Sequence, residues 1–204
     1  MTGPRPDGIR GRGEEGFSLA ELLVCALIFL VLGASVFALL GELQQKAAYQ
    51  AEMRSLIQDT RLALDTVERF ARQAGNDPHR TGIEGVSLRS PSSVRLRTDI
   101  KGAAGGDKGD PDGDMEDSDE DVVLRFNPSA GTLEMVSGSG PPQIVTGRIS
   151  DLAFRYYNES GGMAAEGERV CRIGITLRGA TLSADPRTGR RHGVELEGEV
   201  RVRT

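Results

Sequence analysis

Phe17-Ser-Leu-Ala-Glu21-Leu-Leu-Val-Cys25-Ala-Leu-Ile-Phe-Leu-Val-Leu-Gly33-Ala-Ser-Val-Phe-Ala-Leu-Leu40 is the stretch on which the reading of the whole chain turns. As an α-helix it would extend about 36 Å, against about 30 Å for the hydrocarbon core of a bilayer. The residues before it, 1–16, are polar and rich in Gly and Pro. A secretory signal places its apolar run ahead of the cleavage site, whereas here the apolar run follows the polar leader. Arg5, Arg10 and Arg12 lie on the leader side, which favours a cytoplasmic N-terminus and an exported remainder. Glu21 is the one charge inside the apolar stretch. Left unpaired in lipid it would cost about 2.5–3.5 kcal/mol on insertion scales, so it either sits near the interface or needs a positive partner.

Beyond Leu40 the helical period continues. Met53, Ile57, Thr60, Leu64, Val67, Ala71 and Ala74 recur in steps of four and three, with Tyr49, Leu56, Ala63 and Phe70 in a second row. They form one broad apolar face, too wide for a strict coiled-coil seam and suited to packing on a sheet of the same chain. Asp65–Arg69 and Glu68–Arg72 are spaced for ion pairs along the helix. Gly75, Asn76 and Pro78 predict its end. From Ile83 onward the pattern alternates instead: Val94, Leu96, Thr98, Ile100; Val122, Leu124, Phe126; Leu152, Phe154, Tyr156; Cys171, Ile173, Ile175, Leu177; and Val194, Leu196, Val200, Val202. These are half-buried strands of an antiparallel sheet, and Asn127-Pro-Ser-Ala-Gly131 reads as a hairpin turn. The expected fold is α+β: a long N-terminal helix, transmembrane in its first half and amphipathic in its second, packed on a C-terminal antiparallel β-sheet.

Gly16-Phe17-Ser-Leu-Ala-Glu21-Leu-Leu-Val resembles the class III signal of type IV prepilins and of type II secretion pseudopilins. The resemblance implies cleavage between Gly16 and Phe17 by a prepilin peptidase, N-methylation of the new Phe17 terminus, and subunit docking through Glu21. It also implies a pilin-like sheet on the C-terminal half of the helix. Cleavage would create an α-amine one helical turn from Glu21, and a neighbouring subunit's amine could then pair with this carboxylate in an apolar core. Two departures stand out. Glu14 and Glu15 occupy places where the family usually has Lys or Arg, and no Pro kinks the helix, leaving Gly33 and Gly41 as the positions that could loosen it. Arg61-Leu-Ala-Leu-Asp65-Thr-Val-Glu-Arg-Phe70-Ala-Arg-Gln-Ala-Gly75 and Asp151-Leu-Ala-Phe-Arg-Tyr-Tyr-Asn158 resemble PilW-type minor pilins, with the GspJ-type minor pseudopilin the close competitor.

The 204 residues include 27 Gly and no Trp, a composition of loops around a modest core and not of a large enzyme body. The formal net charge is −5, yet Asp107–Asp121 alone carries nine acidic residues and one Lys, so the remainder is net positive. Asp110, Asp112 and Asp114 present oxygens at alternate positions, as calcium prefers, but Met115 stands where an EF-hand needs Gly. Charge and Gly content favour a solvated, disordered insertion over a metal loop. Cys25 and Cys171 read as two buried free thiols. His79 and His192 lie alone in loops without metal spacing. No Ser-His-Asp order, phosphate loop or helical carboxylate pair with a supporting context points to catalysis.

The organisation read from sequence is a leader at 1–16, a transmembrane or filament-core helix at 17–41, an amphipathic stem at 42–75, and a β-rich domain at 76–204 with an acidic loop at 102–121. The resemblance implies a minor pilin of a type IV pilus that starts or caps assembly, anchored in the bacterial inner membrane with its domain in the periplasm until it joins a filament. Its partners would be other pilins, the prepilin peptidase and the assembly platform, with no nucleic acid and no cofactor unless calcium. A minor pseudopilin of a type II secretion system is the alternative. A single-span membrane protein whose periplasmic domain binds calcium or another ligand is a reading from a different class.

Overall fold

A computed structural model describes residues 18–102, 110–117 and 119–203. The chain forms two compact units, divided between Lys46 and Ala47, so the stem predicted to begin at 42 falls mostly within the larger one. Helix α1 spans Leu19–Gln73 without interruption, and Gly33 and Gly41 do not break it. Up to Lys46 its surface is exposed on every side, with Leu22, Phe29 and Phe37 more than half accessible. This segment is long and apolar enough to cross a membrane by length and composition.

From Ala47 onward the helix behaves differently. Leu56, Thr60, Ala63, Leu64, Val67, Phe70 and Ala71 are buried, which is the broad stripe that the four-and-three spacing predicts. Glu68 pairs with Arg72 on the flank. Arg69 lies over the Phe70 ring, 4.8 Å from its centroid. The helix ends because Gly75 takes a φ of +77°, which a residue with a Cβ adopts only at a cost.

Eight antiparallel strands follow: β1 (Val86–Ser90), β2 (Ser93–Arg97), β3 (Asp121–Asn127), β4 (Thr132–Ser137), β5 (Gln143–Thr146), β6 (Ile149–Tyr157), β7 (Arg172–Ala180) and β8 (Gly193–Arg201). They form two sheets in place of the single one expected, a five-stranded β1-β2-β3-β4-β5 and a three-stranded β6-β7-β8. The crossing is abrupt. Only Gly147 and Arg148 separate β5 from β6, and Arg148 turns the chain with a φ of +62°. Its guanidinium pairs with Asp59 and donates to Ser55 Oγ at 2.9 Å, so the turn is fastened to α1. The strand expected through Thr98 and Ile100 stops at Arg97. There the Thr98 and Asp99 N–H groups leave the ladder for the carbonyls of Glu120 and Asn76, both at 2.9 Å. The predicted turn at Asn127–Gly131 joins β3 to β4, with Gly131 N–H donating to Asn127 O at 2.8 Å.

The helix stripe and the inner faces of both sheets share one core, in which Val94, Leu124, Leu133 and Leu177 are fully buried. Tyr156 ties the sheets together: its hydroxyl reaches Ser90 O at 2.9 Å and Ser93 O at 3.1 Å, across the β1–β2 turn. Burial pushes its pKa up, beyond any physiological titration. One turn before Leu56, Glu52 Oε1 accepts the Leu182 and Ser183 N–H groups at 2.6 and 3.1 Å and so holds the β7–β8 loop.

The Glu52 carboxyl lies below its ordinary pKa, with hydrogen bonding from Ser183 the largest cause. A depressed carboxylate holds its loop above the ordinary glutamate pKa and lets go as pH falls through the lower folded value. Amide exchange at Leu182 and Ser183 is therefore expected to accelerate below about pH 4, more than at neighbouring β7 amides. A Cβ on Gly75 would overlap the Arg203 carbonyl, whereas at Gly82, also at positive φ, it would meet nothing within 4 Å. Denaturant unfolding of the full chain in detergent should show Gly75→Ala losing about 3 kcal/mol and Gly82→Ala about 1 kcal/mol.

Candidate functional site

Gly16 and Phe17 lie outside the described residues. Ser18 is the first described residue, and it starts α1. Its carbonyl accepts the Glu21 and Leu22 N–H groups at 3.0 and 3.2 Å, and its Oγ accepts Glu21 N–H at 3.2 Å. Ser18 is thus the N-cap and Glu21 the third helical residue, the S-x-x-E spacing of a capping box. The Glu21 carboxyl lies in the first turn, at the positive end of the helix dipole. Its side chain has no ion-pair partner among the described residues, and the apolar surface around it, Leu19, Leu22 and Leu23, is exposed. The local geometry therefore offers a carboxyl acceptor at the head of an uncovered apolar helix.

The acidic stretch is organised in a way that its composition did not suggest. Asp99 and Glu120, both fully buried, accept backbone N–H groups from either end of it. Asp99 takes those of Asp112 and Gly113 at 3.2 and 3.0 Å, and Glu120 takes those of Ile100, Lys101 and Asp117 at 2.7, 2.8 and 3.3 Å. His79 Nε2 lies 2.9 Å from Pro111 O. The described part of the stretch is consequently fastened to the domain, not a loose insertion. Asp112 and Asp114 turn their carboxylates to the N–H groups of Asp114 and Glu116, at 3.3 and 2.9 Å. Among the described residues no group of three or more His, Cys, Asp or Glu side chains could hold a metal, so Asp110, Asp112 and Asp114 do not converge as the alternate spacing suggested. One oxygen of Asp112 and one of Asp114 close turns of their own loop instead.

Neither cysteine matches the buried thiol expected of it: both are free, Cys25 exposed and Cys171 half-buried. His192 is 3.5 Å from Asp185 and edge-on to Tyr49. Sequence reasoning missed Asp99, Glu120 and Glu52 as loop anchors, because nothing in their local pattern separates an anchoring carboxylate from a solvated one. Ser18 was also missed as a cap, although the S-x-x-E spacing carried the signal. No protein-family model matches the chain, and no curated protein matches it.

Glu120→Ala would leave three N–H groups without their acceptor, and unfolding of the full chain in detergent should show a loss of about 3 kcal/mol. Asp114→Ala, at an exposed position, is expected to change stability by less than about 0.5 kcal/mol.

Proposed function

We propose that the chain is a type IV pilin-like subunit, most like a minor pilin, made as a prepilin and assembled into a filament through α1. The observation that carries this reading is Glu21: a capped, first-turn carboxylate with no described partner, at the head of a helix whose surface is apolar and exposed as far as Leu43. An isolated charge in such a place needs a cation from another molecule. Hydrolysis of the Gly16–Phe17 bond would supply one on every copy, the α-amine of Phe17, one turn from Glu21 in the same chain.

A subunit displaced along the helix axis would bring its amine to its neighbour's carboxylate, while the apolar surfaces cover each other. In this reading the prepilin peptidase, the assembly platform and other pilins are the partners. The helix waits in the inner membrane with the β-rich domain outside the cytoplasm. A type II secretion pseudopilus would use the same chemistry, so the reading is of a subunit and its mode of assembly.

Intact mass and N-terminal sequencing of protein from its own membranes or filaments test this directly. The expected result is a chain beginning at Phe17 with one added methyl group. Glu21→Leu should still insert in the membrane but fall roughly tenfold or more in sheared filaments, as expected when one partner of a buried charge pair is removed. A chain that keeps its leader in cells with active peptidase, with Glu21→Leu fully tolerated, would overturn the proposal in favour of a plain membrane anchor.

A further inference from the structure

A cleft of about 570 Å³ opens between the α1–β1 segment, the residues just before β7 and the chain after β8. Its volume is in the range that small molecules occupy. Val86, Val170 and Val202, all buried, contribute apolar lining. Four arginines also line it, Arg80, Arg89, Arg169 and Arg203, against two acidic residues, Asp77 and Glu84. Both acids are already engaged. The Asp77 carboxylate accepts the N–H groups of Thr81, Gly82 and Ile83 at 2.9, 2.8 and 3.2 Å, and Glu84 pairs with Arg89 at 3.2 Å. Arg89 also donates to Ala165 O at 3.1 Å, and Arg203 donates to Asn76 Oδ1 at 2.5 Å.

Arg80 and Arg169 remain, and neither makes a side-chain hydrogen bond or ion pair among the described residues. Arg80 is held by the Asp77-capped loop in a left-handed conformation, φ +56°, that disfavours a residue with a Cβ. Backbone strain of this kind clusters at ligand-binding positions. Arg80 and Arg169 are both solvent-exposed residues of the cleft lining, open to a ligand arriving from water. We propose that this cleft binds a small dianion, a dicarboxylate or a phosphate, through the guanidinium groups of Arg80 and Arg169. Planar guanidinium forks match both anions by paired N–H donors, and the valines would take a short apolar body between or beside the charges. The site lies wholly within the larger unit and does not depend on the assembly role proposed above.

Isothermal titration of the full chain in detergent with succinate, with inorganic phosphate and with neutral succinamide tests the proposal. Saturable binding of succinate, of phosphate or of both is expected, with none of succinamide, and the anion that binds identifies the source chemistry. Arg80→Gly suits the left-handed backbone, so a loss of binding there would not reflect a damaged loop. Arg80→Gly and Arg169→Gln should each weaken affinity about tenfold or more, the scale of a lost charge-assisted hydrogen bond, while Arg187→Gln leaves it unchanged. Failure of both anions to bind, equal binding of succinamide, or wild-type affinity in either cleft variant would overturn the assignment.

Discussion

The close approach of α1 to strands β7 and β8 is the constraint on which the larger unit depends. It is made at glycines. A Cβ on Gly179 would come within 2.6 Å of Thr60 Oγ1 and 2.9 Å of Leu56 Cδ1, and one on Gly198 within 3.0 Å of Leu64 Cδ1. Removing two side chains from the sheet lets the helix sink its stripe onto the strands, so that Leu56 and Leu177 lose all contact with water. Thr60 fits this crowded place because its hydroxyl is satisfied within the helix, donating to Leu56 O at 2.7 Å. With the helix seated, its end becomes the meeting point of both sheets. Gly75 N–H donates to Arg97 O at the end of β2, and Ala74 O accepts from Arg203 N–H just after β8.

Loops around this core are fixed by a repeated device. Glu52, Asp77, Asp99 and Glu120 each accept two or more backbone N–H groups from a connecting segment. A carboxylate suits the task because it accepts on both oxygens and its charge strengthens each bond. This gives the acidic stretch a structural use: some of its charge closes its own turns, and Glu120 anchors it to the domain. The same device bears on the arginine-lined cleft. The Asp77 carboxylate is turned to backbone N–H groups, and among the described residues it forms no ion pair with Arg80.

At the other end of α1 the physics is simpler and points outward. Ser18 caps the helix, Glu21 sits where the dipole favours a negative charge, and the following turns bury nothing within the chain. The helix therefore asks for two kinds of partner, apolar surroundings along its length and a cation at its head. Lipid meets the first need. In the proposed assembly, a second subunit with a free N-terminal amine would meet both.

Much of this was determined by sequence alone. The apolar run, the four-and-three stripe from Met53 to Ala74, the stop at Gly75 and the alternation in β3, β6, β7 and β8 are local patterns, and each follows from the period of the backbone that bears it. Glu21 was legible as the one charge in the apolar run, and the Ser18 cap, which acts within one turn, had its signal in the same stretch. Tertiary structure alone decided the division into two sheets, because a two-residue crossing at Gly147–Arg148 looks like an ordinary hairpin until Arg148 is seen to grip Asp59 and Ser55. It alone also separated the anchoring carboxylates Asp99 and Glu120 from the solvated ones around them, and gathered Arg80 and Arg169 from opposite ends of the domain sequence into one cleft. Hydrogen-bond acceptance and charge pairing across tens of residues leave no period in a sequence, since they depend on which chain segments the packed core brings together.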